Sequence, residues 1–264
     1  MWALSTLALF TASLLGLARW LYTRIDSFVV RRQGARRLHF EEAPRLHTLV
    51  AHLSIAARIP SPRLYVVRRS QPNAFSLGMG PHSARIILTS AALDGLDEAE
   101  LRAMVAHELA HIARGHTRRA TLVATLAVLT RGALRSHEGR VWLHRMGTPP
   151  ERDFAADRAA ARLLGEARGL ATLLTRLKER ASGSAPFSDA EAGTPFTAPR
   201  LEGRSLDARI HRLQRMAAEE EARGTQASLR RSVHRRSRFY PRPGATRRPR
   251  SVVPSQAHAR LAHP

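Results

Sequence analysis

Cysteine is absent from the 264-residue chain, which excludes disulfides and every thiolate metal site. Any metal must then be held by His, Asp or Glu, a donor set suited to a catalytic rather than a structural zinc. The absence also fits a reducing compartment. Lysine is nearly missing as well. Lys178 is the only one, so the positive charge is almost wholly arginine. The stretch from Ala222 to Pro264 lacks any acid and carries eleven arginines, about half of the net charge of +22. Such a tail suits an anionic membrane surface. Its only aromatics are Phe239 and Tyr240, too few for the interleaved stacking that single-stranded nucleic acid uses. Nucleic acid is therefore not expected as a partner.

Long apolar runs are scarce too. Trp2 to Ala18 is uncharged over 17 residues, at the short end for a bilayer span. Trp20 and Tyr22 extend it toward an interface, with Arg19 snorkelling. A cleaved signal peptide is the alternative. It would need a Lys or Arg ahead of the apolar core, and the only cleavage-like site is Gly16-Leu17-Ala18. A retained transmembrane helix is expected instead. Arg19, Arg24, Arg31, Arg32, Arg36 and Arg37 follow it and no basic residue precedes it. The positive-inside rule then puts the body of the protein on the cytoplasmic side of the cell (inner) membrane. The second apolar run, Ala120 to Thr130, is uncharged for 11 residues. That is too short to span, so it is expected as a buried core helix.

The remaining chain alternates helix and strand signals. Leu46, Leu49, Val50, Leu53 and Ala57 recur at helical spacing and are stopped by the prolines of "IPSPR". "RLYVV", "NAFSLG" and "RIILTS" read as strands, the last two joined by "MGPHS" as a hairpin. His82 in that turn reads as an exposed loop residue. A strong helix runs from Asp97 to His116 with acids in its first turn. Helices are expected again over "ERDFAADRAAARLLG", over Leu170–Arg180, and over "SLDARIHRLQRMAAEEEA" behind a Ser205 cap. The expected organisation is a membrane anchor over 1–30 and an amphipathic connecting helix over 31–60. A catalytic domain over 61–221 and a disordered Arg-rich tail over 222–264 complete it.

"VAHELAHIARGH" carries the chemistry. His107 and His111 are four apart, so a helix puts them on one face, where both can reach a zinc ion at ~2.0–2.1 Å. Glu108 is rotated off that face and suits the work of a general base and acid. Met104, Val105, Leu109, Ala110 and Ile112 make the helix apolar. Two buried histidines and a buried glutamate on such a helix need a partner, because unpaired polar groups in a core are costly. His116 comes nine residues after His107, about 180° around an ideal helix. It reads as a helix-end residue that favours the dipole. Candidates for a third ligand lie downstream, where Asp153 and Asp157 are spaced i, i+4 beside the small residues Ala155, Ala156, Ala159 and Ala160.

These elements in this order resemble the M48 peptidases, membrane-associated zinc proteases, in their HtpX-like branch. "NAFSLG" is similar to that family's Asn-Ala-Phe strand and "RIILTSAALDGLDEAELRAMVAHELAHIARGH" to its strand and active-site helix. "RDFAAD" resembles the Arg-Glu-Tyr-x-Ala-Asp element, and "RSLDARIHRLQRM" the closing helix. The resemblance covers roughly Pro60 to Met216. It implies an α+β fold: a mostly α-helical gluzincin-type domain with a small antiparallel sheet and an N-terminal transmembrane helix. It implies one Zn2+ held by His107, His111 and Asp153, with Glu108 catalytic. It implies that Asp157 orients a ligand histidine and that Asn73, Ala74 and Phe75 form the substrate-binding strand. Two departures stand out. Asp153 replaces the family's glutamate and is one methylene shorter. Ala198-Pro199 replaces a His-Pro dipeptide. Glu151 offers a substitute carboxylate on another helical face. Arg200, Arg204 and Arg209 near the closing helix are candidates to stabilise the oxyanion, each otherwise a solvated or phosphate-facing cation.

The function expected is a membrane-anchored zinc endopeptidase for protein quality control, acting on unfolded or membrane polypeptides beside a lipid bilayer. Two alternatives stay open. One is an M48-fold adaptor with a degenerate, zinc-poor site. The other is an M56-like signalling peptidase, whose HExxH helix looks alike.

Overall fold

The computed structural model describes residues 2–129, 150–183 and 204–239. By their contacts the residues fall into two units, Met1–Glu220 and Glu221–Pro264. The first unit holds a sheet sandwiched between helices. Helix α1 (Trp2–Arg32) leads into β1 (Arg36–Arg37), a single 3-10 turn (Phe40–Glu42) and α2 (Pro44–Ala56). Strands β2 (Arg63–Val67), β3 (Ala74–Leu77) and β4 (Arg85–Thr89) follow, then α3 (Ser90–Gly95) and α4 (Glu98–Ala113). Helices α5 (Thr117–Leu129), α6 (Pro150–Leu164), α7 (Arg168–Gly183) and α8 (Arg204–Phe239) complete the order.

The sheet is mixed, not antiparallel as the resemblance implied. Its order is β1-β2-β4-β3. β1 pairs antiparallel with β2, and β3 with β4 as the expected hairpin, but β2 and β4 run parallel. The chain leaves β2, takes the outer position as β3, and turns back into the gap between them. Strand signals read in chain order carry no trace of that skipped position. The hairpin depends on Gly78, which has φ +148°. A Cβ there would lie 2.8 Å from the Ala84 Cα, so only glycine fits.

Side chains alternate across the pleat and serve two cores. Leu64, Val66, Ile86 and Leu88 face the larger core with α2, α4, α6 and α7. Val67, Phe75, Leu77 and Ile87 face a smaller one with Val29 and Val30 of α1 and Ala124 of α5. All five residues of β4 are buried, as befits a strand covered on both faces. α2 contributes Leu46, Val50 and Leu53 to the larger core and is an integral layer of the fold.

The transmembrane helix expected over residues 1–30 is not what α1 provides. Among the described residues no helix is long and apolar enough to cross a membrane. The uncharged run covers about 25 Å at ~1.5 Å per residue, short of the ~30 Å hydrocarbon core. The helix then continues past Arg19 and Arg24 to a C-terminal end buried in the smaller core. The last helix also differs from expectation. It continues to Phe239, well past Ala222, and residues 221–229 are exposed. Residues 240–264 lie outside the described residues, as do Thr130 and the loop expected over 182–203 from residue 184 onward.

Candidate metal centre

Helix α4 is built to stay rigid while carrying polar groups through a core. Asp97 caps it by accepting from the Glu100 backbone N–H at 2.8 Å, and Glu100 returns the bond to the Asp97 N–H at 3.0 Å. Arg176 of α7 donates to the buried Glu100 carboxylate at 2.7 Å. From Ala103 to Ile112 every side chain is buried. His107, Glu108 and His111 are thus 6%, 2% and 2% exposed.

The i, i+4 spacing does what it should. His107 Nε2 and His111 Nε2 are 3.1 Å apart, with the rings edge to face. Helix α6 supplies the third donor. Ala156 and Ala160, both fully buried, let it pack closely against α4. Asp153 Oδ1 comes to 3.4 Å from His111 Nε2. Among the described residues His107, His111 and Asp153 form one group whose ligand atoms all lie within 4.8 Å of one another. Two ligands on a tetrahedral zinc sit ~3.3 Å apart, given bonds of ~2.0–2.1 Å. The two separations of 3.1 and 3.4 Å match that spacing. The donor set therefore fits zinc, with the shorter carboxylate of Asp153 standing within ligand range of the two histidines. Glu151, the substitute carboxylate, is exposed.

Behind these donors lies a buried ionic layer. Asp157 Oδ1 is 2.9 Å from His107 Nδ1. Arg209 of α8 grips the same carboxylate with two bonds, Nε to Oδ2 at 2.7 Å and Nη2 to Oδ1 at 2.8 Å. Its third nitrogen is 3.7 Å from Asp153 Oδ2. Burial pushes the Asp157 pKa up, but the Arg209 charge and hydrogen bonds, with His107, outweigh it and hold the group at about 2. Burial also opposes the charge on Arg209, yet Asp157, Asp153 and Glu108 keep its pKa above the ordinary value. Of the three arginines singled out in the sequence, Arg209 is therefore neither solvated nor peripheral. Arg200 lies outside the described residues, as does Ala198-Pro199.

A small pocket of about 40 Å³ opens beside the donors. His107, Glu108, Arg209 and Asn73 give it a polar side, and Leu170, Leu173, Leu174 and Leu177 of α7 an apolar wall. Ala74 lines it too. Asn73 is held by its backbone N–H donating to Thr89 Oγ1 at 2.9 Å. Phe75 points away and is 3% exposed in the smaller core beside Val29 and Val30. The strand predicted to meet substrate thus splits: two residues reach the cavity, and the third is packing.

His116 is the residue that helix geometry misplaced. α4 ends in a Schellman turn, with Gly115 at φ +69°. The His116 N–H donates to the His111 carbonyl at 3.0 Å and the Gly115 N–H to the Ile112 carbonyl at 3.0 Å. The reversal lays the His116 ring on that of His111, Nδ1 to Nδ1 at 3.0 Å. Partial burial, then the charges of His111, Arg152 and Arg114, lower its pKa to about 4 against the opposing pull of Asp153. The signal was present in the sequence as Gly115, a helix-stopping glycine just before the histidine.

Comparison with known proteins places the chain among peptidases. Residues 41–217, a range that includes α2, match the model of Peptidase family M48. A protease HtpX homolog of Burkholderia thailandensis is 33% identical over 215 residues, 70% of this chain and 73% of that protein. One from Aquifex aeolicus is 44% identical over 109 residues, 41% of this chain and only 35% of that protein. The crystal structure of S. mikatae Ste24p superposes with a TM-score of 0.45 at 17% identity, over 77% of this chain and 57% of that one. With two thirds of its length in the family model and nearly three quarters of a full-length relative aligned, the chain belongs to peptidase family M48.

Proposed function

We propose that the chain is a zinc-dependent endopeptidase that cleaves unfolded or membrane polypeptides at the surface of the cell membrane, in protein quality control. The observation that carries this reading is the convergence of His107, His111 and Asp153 within 4.8 Å, beside a pocket lined by His107 and Glu108. His107, His111 and Asp153 would hold the ion. Zinc, when bound, supplies Lewis acidity toward a carbonyl and a water made acidic enough to attack near neutral pH.

The protein's own groups do the rest. Glu108 takes a proton from the attacking water and passes it to the leaving amine. Its carboxylate is buried and lines the pocket with His107, which places it to exchange protons there. Asp157 Oδ1, 2.9 Å from His107 Nδ1, is placed to take up that nitrogen's proton and hold Nε2 toward the donor group. Arg209 keeps Asp157 ionised in that role. β3 is an edge strand with Ala74 at the cavity, which supports an extended substrate lying alongside it. Asn73 at the same end suits a contact to the substrate backbone. The leucine wall of α7 suits an apolar substrate side chain.

Contact with the lipid bilayer is supported by α1, where Phe10, Leu14 and Leu15 are 67%, 56% and 71% exposed. Large apolar side chains at that exposure fit a bilayer better than water. The arginines that follow suit the anionic cytoplasmic leaflet.

The test is cleavage of casein by zinc-loaded protein in detergent, beside Glu108→Gln prepared identically. Cleavage that is lost in the variant and with a chelator supports the proposal. Equal cleavage by the variant, or none by either protein, removes it.

A further inference from the structure

We infer that His116 is the positioning residue of the metal centre for His111, accepting its Nδ1 proton and so fixing the ring with Nε2 toward the ion. The inference rests on the zinc reading above. Nothing in the ligand motif itself assigns His116 a role.

The argument begins with which nitrogen faces which way. His111 Nε2 lies 3.1 Å from His107 Nε2 and 3.4 Å from Asp153 Oδ1, so Nε2 is the atom on the metal side. An imidazole that gives Nε2 to a metal carries its proton on Nδ1. That proton needs an acceptor, because the ring is 2% exposed. His116 Nδ1 stands 3.0 Å away. It accepts when His116 is neutral with its own proton on Nε2. His116 cannot itself be a fourth ligand to the same ion. It sits against the edge of His111 opposite Nε2.

The comparison with His107 sharpens this. Both ligand histidines turn Nε2 inward, and both place Nδ1 within hydrogen-bond reach of a specific acceptor. For His107 the acceptor is Asp157 Oδ1 at 2.9 Å, and for His111 it is His116 Nδ1 at 3.0 Å. The first partner comes from a separate helix. The second is delivered by the helix's own ending, through Gly115 and the bond from the His116 N–H to the His111 carbonyl. Partners of this kind fix ring tautomer and orientation, and losing one typically costs ~10–100-fold in metal affinity. A carboxylate accepts more strongly than a neutral imidazole. The two zinc-facing nitrogens are therefore unequal in basicity.

The experiment is zinc affinity of the full chain in detergent, by competition with a chromophoric chelator, for the wild type, His116→Ala, His116→Phe and His116→Asn. The backbone bond that makes the turn is available to all of them. Phe keeps a ring of similar bulk without an acceptor, and Asn restores an acceptor without the ring. Weaker binding by about 10–100-fold in the Ala and Phe variants, with recovery in Asn, is the expected result. The visible spectrum of the cobalt-loaded site should shift in the same two variants. If His116→Phe binds zinc as tightly as the wild type, the ring is packing and the inference falls while the proposed function stands. If the wild type binds no zinc at all, both fall together.

Discussion

Arg209 and Asp157 form a buried fork-to-fork pair, with bonds of 2.7 and 2.8 Å between α8 and α6. The same carboxylate touches His107, so this pair joins the scaffold to the proposed ligands. Arg209→Met removes one partner and leaves a charge buried alone. It should destabilise the protein by about 3–5 kcal/mol, read from the urea midpoint at neutral pH. Arg209→Met combined with Asp157→Leu should recover much of the loss, because an apolar pair needs no compensating charge. A single variant as stable as the wild type would show that the pair is not the brace it looks to be.

The same pair sets an acid limit. Asp157 is held at about 2, below its ordinary value of 3.8. Its contribution to stability is therefore complete above about pH 4 and is lost as pH falls toward about 2, some 2 kcal/mol in all. Metal-free protein in chelator should show this as a steep fall in the urea midpoint between those values. Asp157→Asn should be less stable at neutral pH and flatter across that window.

Asp153 tests the ligand set by length. Its Oδ1 already stands 3.4 Å from His111 Nε2, so the shorter side chain is matched to its backbone. Asp153→Ala should lower zinc affinity by orders of magnitude. Asp153→Glu should not improve it, since the added methylene must fit where α6 is already packed close. A marked gain in affinity from Glu would mean that the wild-type donor stands too far off.

Gly78 is a backbone test. Its φ of +148° and the 2.8 Å approach to Ala84 leave no room for a side chain. Gly78→Ala should cost about 1–3 kcal/mol by thermal or urea unfolding. It should also loosen the bond from the Gly78 N–H to Thr121 Oγ1, visible as faster amide exchange there.

Phe75 and Asn73 separate packing from recognition within one short stretch. Phe75→Ala should cost about 3–5 kcal/mol of stability, as for a large core side chain. Asn73→Ala should unfold near the wild type and show its effect in KM with casein. The reverse pattern would exchange the two roles.

Much of this was legible beforehand because local rules decide it. The capping box at Asp97 and Glu100 and an apolar run with two histidines at helical spacing define α4 whatever packs around it. The β3–β4 hairpin was equally plain from its turn residues. What escaped depends on distant partners. Parallel pairing of β2 and β4 is set by which gap the chain fills. Arg209 looks like any surface arginine until α8 is placed against α6. Phe75 reads as part of a binding strand until α1 covers the far face of the sheet. Among the described residues no helix is long and apolar enough to cross a membrane, because the uncharged run ends at Ala18 while α1 continues.

Two donors on one helix and a third on another divide the centre by time as well as space. His107 and His111 are neighbours as soon as α4 coils, a local event. Asp153 reaches them only when α6, tens of residues later in synthesis, has docked and Arg209 still later has closed over it. A half-made chain therefore owns a pair of histidines but no complete centre. Under the proposed function, hydrolysis would begin only once the fold that gathers all three donors is finished, so an emerging polypeptide would run no risk from its own unfinished copy.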